Sequence, residues 1–337
     1  MGIMAAMNQA TAIKHKAVEL GLDLVGITDA APIAQPHVRL LTAWLDAGYA
    51  GPMHSMHRHL DKRHDPGQLL PEARSVIIVG LNYKSLQGSP PGTGKAMGRV
   101  ADYAQYEDYH GFLKARLNEL AAFIGSVAGQ AVRFKVCVDS VPLLERALAA
   151  RAGLGFIARN HMLTHPRLGP QLFLGELITD LTLPTDEPSQ GNCGDCDLCI
   201  RACPTGALRA DGVLDASRCL NTWMIEHAGD IPSDLAARIG DRVYGCDECV
   251  TACPFQQKAP ACANSAFRFY PDRAWLDLNE VLAMTEDAFM TLFAYSPIRR
   301  IGLERLQRSA RICMENRTKS KKTEVRSQKS ETGNKKS

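Results

Sequence analysis

The sequence predicts a mixed chain: an α/β layer first, then a small cysteine-rich domain, then a short helical segment. Three observations lead there. Apolar runs of strand length alternate with amphipathic stretches as far as about residue 185. Eight of the eleven cysteines fall between Cys193 and Cys253. Two further helical patterns follow, and beyond Arg317 apolar residues become scarce.

Residues 8–20 read as a helix whose apolar face carries Ile13, Ala17, Val18 and Leu20. "LDLVGITDA" (22–30) follows as a strand and turn, and "SVIIVGLNY" (75–83) as a continuous apolar strand covered on both faces. The stretch 84–98 is a Gly/Pro-rich loop. A long amphipathic helix over 108–129 ends at glycine, and 132–139 alternates as a strand. The next helix, 142–155, has Pro142 near its start and Gly153 near its end, and 171–181 is a further strand. "PTDEPSQGN" (184–192) is a linker by composition. Residues 277–293 and 297–316 look helical, and the Ser/Lys/Thr/Glu-rich stretch from Arg317 is expected to be disordered.

The chain has 337 residues, 45% apolar and 22% charged, enough for two domains and a sizeable core. Its formal net charge of +3 is uneven: residues 317–337 carry eight Lys/Arg against two Glu, a net of +6, which leaves the rest near −3. The basic pI is thus mostly the tail's and by itself points only weakly to nucleic acid. No apolar run approaches the roughly 20 residues of a membrane-spanning helix. The N-terminus lacks a secretory pattern, and "MGIMAA" has Ala6 where a myristoylation signal needs Ser or Thr. A cytoplasmic monomer is expected, and in a reducing compartment eleven cysteines, an odd number, suit metal or redox chemistry better than disulfides.

The first cysteine block, "NCGDCDLCIRACPTGAL" (192–208), spaces Cys193, Cys196, Cys199 and Cys203 as C-x2-C-x2-C-x3-C and then Pro204. Bacterial ferredoxins use this run: three cysteines ligate one [4Fe–4S] cluster and the fourth ligates the other. A second block supplies Cys246, Cys249, Cys253 and Pro254, but Val243 stands where its first ligand would be. Cys219 is the only unassigned cysteine between the blocks and is taken as the replacement. The exchange rule then assigns Cys193, Cys196, Cys199 and Cys253 to one cluster, and Cys203, Cys219, Cys246 and Cys249 to the other. A tetrahedral zinc site would use four of these thiols and leave four without a role. Cys137, Cys262 and Cys313 read as ordinary cysteines without a spacing partner.

Other signals are weaker. "SPPGTGKA" (89–96) has Ser89 and Ala96 where a phosphate-binding loop needs glycine and Ser/Thr, so it is read as a loop. His54, His57, His59 and His64 lie in one stretch without matching ligands, which favours a solvated helix or a face for an anionic partner. Asp139 closes a strand just before Pro142: it is either a helix cap or, by the strand-end rule for α/β sheets, a ligand-facing acid. Arg299, Arg300, Arg305, Arg308 and Arg311 form a solvated face or meet phosphates.

Taken together, "KRHDP" (62–66), "DYH" (108–110), "VDSVPLLERALAARAGLGFIARN" (138–160), "FLGEL" (173–177), both cysteine blocks with Cys219, "RVYGCDEC" (242–249) and "SPIRRIG" (296–302) resemble the epoxyqueuosine reductase family over roughly residues 10–315. The resemblance implies a nitroreductase-like cobalamin-binding α/β domain (1–185), a ferredoxin-like domain with two [4Fe–4S] clusters (186–262), C-terminal helices (263–316) and the basic tail (317–337). It implies reduction of the epoxide of epoxyqueuosine in the tRNA wobble position, fed by a separate electron donor, with Asp139 as proton donor. Burial beside a flat apolar macrocycle is expected to raise the pKa of that acid. Arg63, Arg146, Leu163, Thr164, His165, Leu174 and Asp247 fall where the family lines the corrin or the substrate pocket. Two departures stand out. Longer members carry C-terminal helical repeats, for which the basic tail is expected to substitute, and Ala101 occupies the place of a cysteine found in some members. The rival readings are a cobalamin-dependent reductive dehalogenase and a non-catalytic ferredoxin-type electron carrier.

Overall fold

The computed structural model of the chain describes residues 2–86, 92 and 94–333. The phosphate-loop look-alike at 89–96, and with it part of the expected 84–98 loop, lies partly outside the described residues, as do 334–337.

The first half runs α1 (Gly2–Glu19), β1 (Leu24–Asp29), α2 (Gln35–Asp46), α3 (Leu60–His64), β2 (Ser75–Asn82), β3 (Met97–Val100), α4 (Tyr109–Val127), β4 (Phe134–Cys137), α5 (Glu145–Arg151), β5 (Phe156–Ile157), β6 (Leu163–Thr164) and β7 (Leu172–Thr179). Strands β1, β2, β7 and β4 form one sheet in that order. Every neighbouring pair is antiparallel, with Ile27 opposite Ile77 and Ile77 opposite Leu177. The sequence alternation suggested an α/β layer; the antiparallel ladder makes it an α+β domain. The strand-end rule for parallel sheets therefore gives no support for Asp139.

Both sheet faces are covered, which is why β2 reads as an unbroken apolar run and is buried along its whole length. On one face Ile27, Ile77, Val79 and Leu177 pack with Ile13 and Ala17 of α1 and with Leu113, Leu117, Leu120 and Ile124 of α4. On the other, Val76, Ile78, Leu174 and Ile178 pack with Leu148 and Ala149 of α5. Helix α2 was not read from the sequence. It buries only Leu45 and leaves Leu40 68% exposed, so it adds little to the core. The histidine-rich stretch forms a 3-10 turn over His54–His57 and the short α3 rather than one helix, with His59 between them in the left-handed region.

The second half contains α6 (Leu198–Ala202), α7 (Leu220–Ile225), α8 (Ser233–Ile239), β8 (Arg242–Tyr244), α9 (Glu248–Thr251), α10 (Pro254–Lys258), β9 (Trp275–Asp277), α11 (Leu278–Ala283), α12 (Glu286–Leu292) and α13 (Gly302–Gly333). A small sheet orders β8, β3 and β9, with β3 parallel to β8 and antiparallel to β9. A strand from the first domain is thus the centre of a sheet whose edges come from the cysteine-rich segment and the C-terminal segment. A second core closes over it: Val100, Val243, Tyr244, Phe289, Phe293, Leu306 and Ala310.

The structure carries α13 as one helix to Gly333, where composition suggested disorder from Arg317. No Gly or Pro interrupts residues 303–332. A helix already nucleated by its packed first turns needs only residues of fair propensity to continue.

Gly26 sits where β1 meets α5: a Cβ there would lie 2.2 Å from the Ala152 carbonyl oxygen. Gly26→Ala is therefore expected to destabilise the first domain by about 1–3 kcal/mol, read as a lowered urea midpoint of the cofactor-free protein.

Candidate functional site

Asp139 lies two residues past β4 in a left-handed backbone conformation, φ 50°. Asp tolerates that region better than most side chains. Its N–H donates to Glu145 Oε1 of α5 at 2.8 Å, which pins the turn. The side chain keeps 54% of its surface open to solvent. Tyr109 Oη donates to Asp139 Oδ2 at 2.8 Å, and His110 Nε2 lies 3.2 Å from the same oxygen. Both contacts fall on Oδ2, which leaves Oδ1 for a ligand.

Tyr109 and His110 open α4, whose N-cap is Asp108. The Asp108 carboxylate accepts the His110 backbone N–H at 3.1 Å and meets His110 Nδ1 at 2.6 Å. The Tyr109 ring stacks on His110 (4.1 Å) and on Phe173 of β7 (4.0 Å), and Phe173 in turn meets Tyr83 (4.3 Å). Arg300, on the turn Pro297–Ile301, reaches both ring nitrogens of His110, at 3.0 Å from Nδ1. The ring can donate to both carboxylates only as imidazolium, and then has no lone pair left for Arg300.

The charges follow from these contacts. The His110 hydrogen bond is the strongest influence on Asp139; it outweighs burial and holds the carboxyl below its ordinary value, with Tyr109 helping. The upward shift expected from burial is thus reversed by two donors. Burial opposes charge on His110, but the hydrogen bonds to Asp108 and Asp139 win and raise its pKa. Burial, then the Asp139 charge, push Glu145 up to about 7.

The other residues singled out in the sequence ring this turn unevenly. Arg63 donates to the Ser55 and Arg58 carbonyls at 2.7 and 3.2 Å, and its own carbonyl accepts from Leu144 beside Glu145. Arg146 is exposed and donates to the His161 carbonyl at 2.9 Å. Leu163 and Thr164 are buried in the β5–β6 hairpin, and Leu174 is buried on the α5 face of the sheet. His165 Nδ1 accepts the N–H groups of Arg167 and Leu168 in a tight turn.

Two short helices, α6 and α9, carry Cys199 and Cys249, and each runs into a Cys-Pro step. Pro254 starts α10 at its first position, where a missing N–H costs nothing. All eleven cysteines are unpaired thiols. Four of the eight thiols have cysteines among the charges that bear on them. After burial, Cys199 is raised by Cys193 and Cys196; Cys253 is raised by Cys193 and Cys196. Cys246 is raised by Cys219, and Cys249 by Cys246, Cys219 and Cys203. These four thiols thus lie near cysteines of their own expected group. Backbone N–H groups of Gln256 and Phe255 point at Cys253, and the Arg159 N–H lies 3.4 Å from Cys193 Sγ. Among the described residues no three His, Cys, Asp or Glu side chains converge as they would around one mononuclear ion. A four-iron cube spreads its thiolates over its corners and needs no such convergence. Burial raises Cys137 and Cys313 to about 12, which fits inert core thiols.

The two domains are bolted together beside these loops. Asp247, only 9% exposed, accepts the Asp102 N–H at 2.7 Å, and burial, then the Asp102 charge, push it to about 7. Gln171 donates to Asp102 Oδ2 at 2.8 Å and accepts from Gln256 of α10. Lys84 donates to the Gln256 and Ala259 carbonyls at 2.7 and 2.6 Å, and Asn160 to the Cys249 carbonyl at 3.1 Å.

Two family models match the chain in these places: "Epoxyqueuosine reductase QueG, DUF1730" over residues 63–140 and "4Fe-4S double cluster binding domain" over residues 192–256. The epoxyqueuosine reductase of Vibrio cholerae is 38% identical over 309 residues, covering 91% of this chain and 83% of that protein. That of Escherichia coli is 37% identical over 92% of this chain and 82% of its own length. The chain belongs to the epoxyqueuosine reductase family. Solved relatives agree. An epoxyqueuosine reductase bound to a tRNA-Tyr epoxyqueuosine-modified stem loop superimposes with a TM-score of 0.86 at 30% identity, covering 92% of this chain and 82% of that one. The Streptococcus thermophilus enzyme superimposes with a TM-score of 0.84 at 29% identity, covering 91% and 81%. In a Bacillus subtilis family structure (TM-score 0.86, 29% identity, covering 92% and 82%) the loop of the catalytic aspartate is swung out of the active site. Among the described residues no helix is long and apolar enough to cross a membrane.

The sequence singled out Asp139 as an acid but not the contacts that Tyr109 and His110 make to it or that Arg300 makes to His110, although "DYH" and "SPIRRIG" are both among the motifs. The His110 imidazole is expected to titrate above 6.5 by NMR, and Asp108→Asn is expected to bring it down. Because its folded-state pKa is raised, the stability His110 contributes is complete below pH 6.5 and lost as pH rises through the folded-state value. A ring that titrates at or below 6.5 would contradict the two-carboxylate cradle.

Proposed function

We propose that this chain reduces the epoxide of epoxyqueuosine in the wobble position of tRNA to the alkene of queuosine, using cobalamin and two [4Fe–4S] clusters. The observation that carries the reading is Asp139: a half-exposed carboxylate aimed by Tyr109 and His110, on a domain bolted to eight gathered cysteines. The similarity to epoxyqueuosine reductases along nine-tenths of the chain supports it, as does the solved relative that holds an epoxyqueuosine-modified stem loop.

The donor sets suit the groups. Cys193, Cys196, Cys199 and Cys253 are assigned to one cluster and Cys203, Cys219, Cys246 and Cys249 to the other, with backbone N–H groups available to the sulfurs. For cobalamin, a broad flat ligand needs an open face, and Asp139 is open to solvent. The more defined cavities lie elsewhere: about 330 Å³ beside Pro204 and Arg218, and a far smaller one by Gly245. Arg63, Arg146, Leu163, Thr164, His165 and Leu174 are assigned to the corrin and the substrate pocket. Asp247, spent on Asp102, is assigned to the seam between the domains.

When bound, the clusters and cobalamin supply low-potential electrons and deliver them at carbon. The chain supplies geometry and protons. Tyr109 and His110 fix the Asp139 carboxyl, and Asp139 passes a proton to the epoxide oxygen as the C–O bond breaks. With Asp139 ionised at rest, His110 is the group that holds this proton beforehand. Arg299, Arg300 and the basic helix α13 are assigned to tRNA phosphates. The first domain (1–185) is read as the cobalamin-binding part, 186–262 as the ferredoxin-like part and 263–316 as supporting helices. The protein is read as a cytoplasmic monomer fed by a separate electron donor.

Anaerobic protein reconstituted with cobalamin, iron and sulfide, then given epoxide-bearing tRNA and a reductant, is expected to yield queuosine by nucleoside mass spectrometry. A fully loaded protein that leaves the epoxide intact would refute the reading. Asp139→Asn is expected to keep the cluster and corrin spectra while losing about 10²–10⁴-fold in rate. Cys219→Ser is expected to lose about half of the bound iron, because only one cluster depends on it.

A further inference from the structure

Glu176 occupies the middle of β7, opposite Ile78 on β2 and Cys137 on β4. Its side chain is 0% exposed, no N–H or O–H of the described sheet and helices donates to its carboxyl oxygens, and the one group it shares a side-chain hydrogen bond with is the Glu145 carboxyl. The sheet face around it is apolar: Val76, Ile78, Leu148, Leu174 and Ile178. An unpaired carboxylate in such a place is costly, so the group stays neutral, and burial does raise its pKa well above the ordinary value. The chief charged neighbour of Glu176 is Glu145, and then Asp139. Glu145 in turn holds the Asp139 N–H. Three carboxyls thus run from the sheet interior to the reaction site.

The proton count gives this row a use. Converting an epoxide to an alkene and water takes two electrons and two protons: both C–O bonds break, one C=C bond forms, and the oxygen leaves with two hydrogens. In the resting state Asp139 is ionised and His110 carries the proton they share, so that unit supplies one. Tyr109 is no second source, because burial and the Asp139 charge push its pKa upward. Solvent reaches Asp139 in the free protein, but a docked tRNA covering this half-exposed side chain shuts off that supply.

We propose that the half-buried Glu145 and the buried Glu176 form a proton store behind Asp139 that delivers the second proton of the epoxide reduction. The inference rests on the reaction proposed above. The Glu145 carboxyl reprotonates the Asp139 carboxylate after the first transfer and is left ionised; it recovers its proton when product leaves and water returns. Glu176, neutral behind it, keeps the pair from emptying. The groups that bear on the pair are Tyr109 and His110 of α4, Cys137 and Asp139 of β4 and its turn, and Arg146 of α5; Arg300 acts on His110 and Asp139, and Lys135 on Cys137. His110 and Arg146 pull Glu145 down, while burial and Asp139 push it up to about 7. The pair titrates as a unit.

The store is read directly by infrared spectroscopy of the cofactor-free protein across pH. A protonated-carboxyl band should persist well above the ordinary glutamate range and vanish in Glu176→Gln, and a second should titrate near pH 7 and vanish in Glu145→Gln. Glu145→Gln keeps an amide oxygen for the Asp139 N–H, so a purely structural role predicts no loss. The store predicts at least about a hundredfold slower epoxide conversion at pH 7, with unchanged tRNA affinity and without the wild-type fall in rate above neutrality. Absence of protonated-glutamate bands at neutral pH overturns the proposal, as does a Glu145→Gln enzyme with the wild-type rate and pH profile. A loaded wild-type protein that converts no epoxide overturns the parent reading and the delivery step with it. The infrared bands, which need no cofactor or substrate, tell that failure apart from the absence of a store.

Discussion

The hydrogen bond from the Asp102 N–H to the Asp247 carboxylate, with Gln171 and Gln256 completing the chain, holds the cysteine-bearing loops against the sheet domain. Apolar contact alone would let two surfaces slide; directional bonds to buried carboxylates do not. Hydrogen bonds to charged groups contribute about 1.5–3 kcal/mol each, and losing one partner of a buried charge costs more than the bond contributed. The Cys249 charge is felt at Tyr83, the first ring of the Tyr83–Phe173–Tyr109 row, so this seam also sets how the cysteine loop lies against that row.

Strand β3 reinforces the same constraint by covalent means. It belongs to the first domain in sequence, yet it is the middle strand between β8 and β9. Its chain leads straight into Asp102, so the parallel pairing with β8 delivers one partner of the seam beside the other. Gly245 leaves room for this approach: with φ 70°, a Cβ there would lie 2.7 Å from that of Ala101. The domain divisions drawn from composition are therefore useful for naming parts, but the folding units overlap across them.

At the acid, the structure trades proton affinity for aim. Two donors on Oδ2 hold Asp139 steady and also keep its carboxyl below the ordinary value, which on the proposed reading suits a conduit better than a reservoir. The surroundings favour a proton elsewhere: on His110 between two carboxylates, and on Glu176 sunk into an apolar sheet face. This separates orientation, which the half-exposed residue needs, from storage, which buried residues do better.

Local features of the sequence determined much of this protein. The long helices, the two-faced burial of 75–83 and the eight gathered thiols are short-range patterns, because helix periodicity, apolar runs and ligand spacing are written within a few residues of one another. Asp139 was legible as an acid after a strand, and the family motifs around it were visible. Strand direction was not, since alternation of strands and helices is compatible with either ladder. The continued helix past Arg317 was missed because composition reports how well a segment folds alone, not what it does when attached to a packed helix. Only the tertiary structure decided that His110 and Arg300 meet, 190 residues apart, that Glu145 stands under Asp139, and that Glu176 faces α5 with only the Glu145 carboxyl for a partner. Those outcomes depend on which faces are brought together and on how far water is excluded between them, and neither is a property of any short stretch of chain.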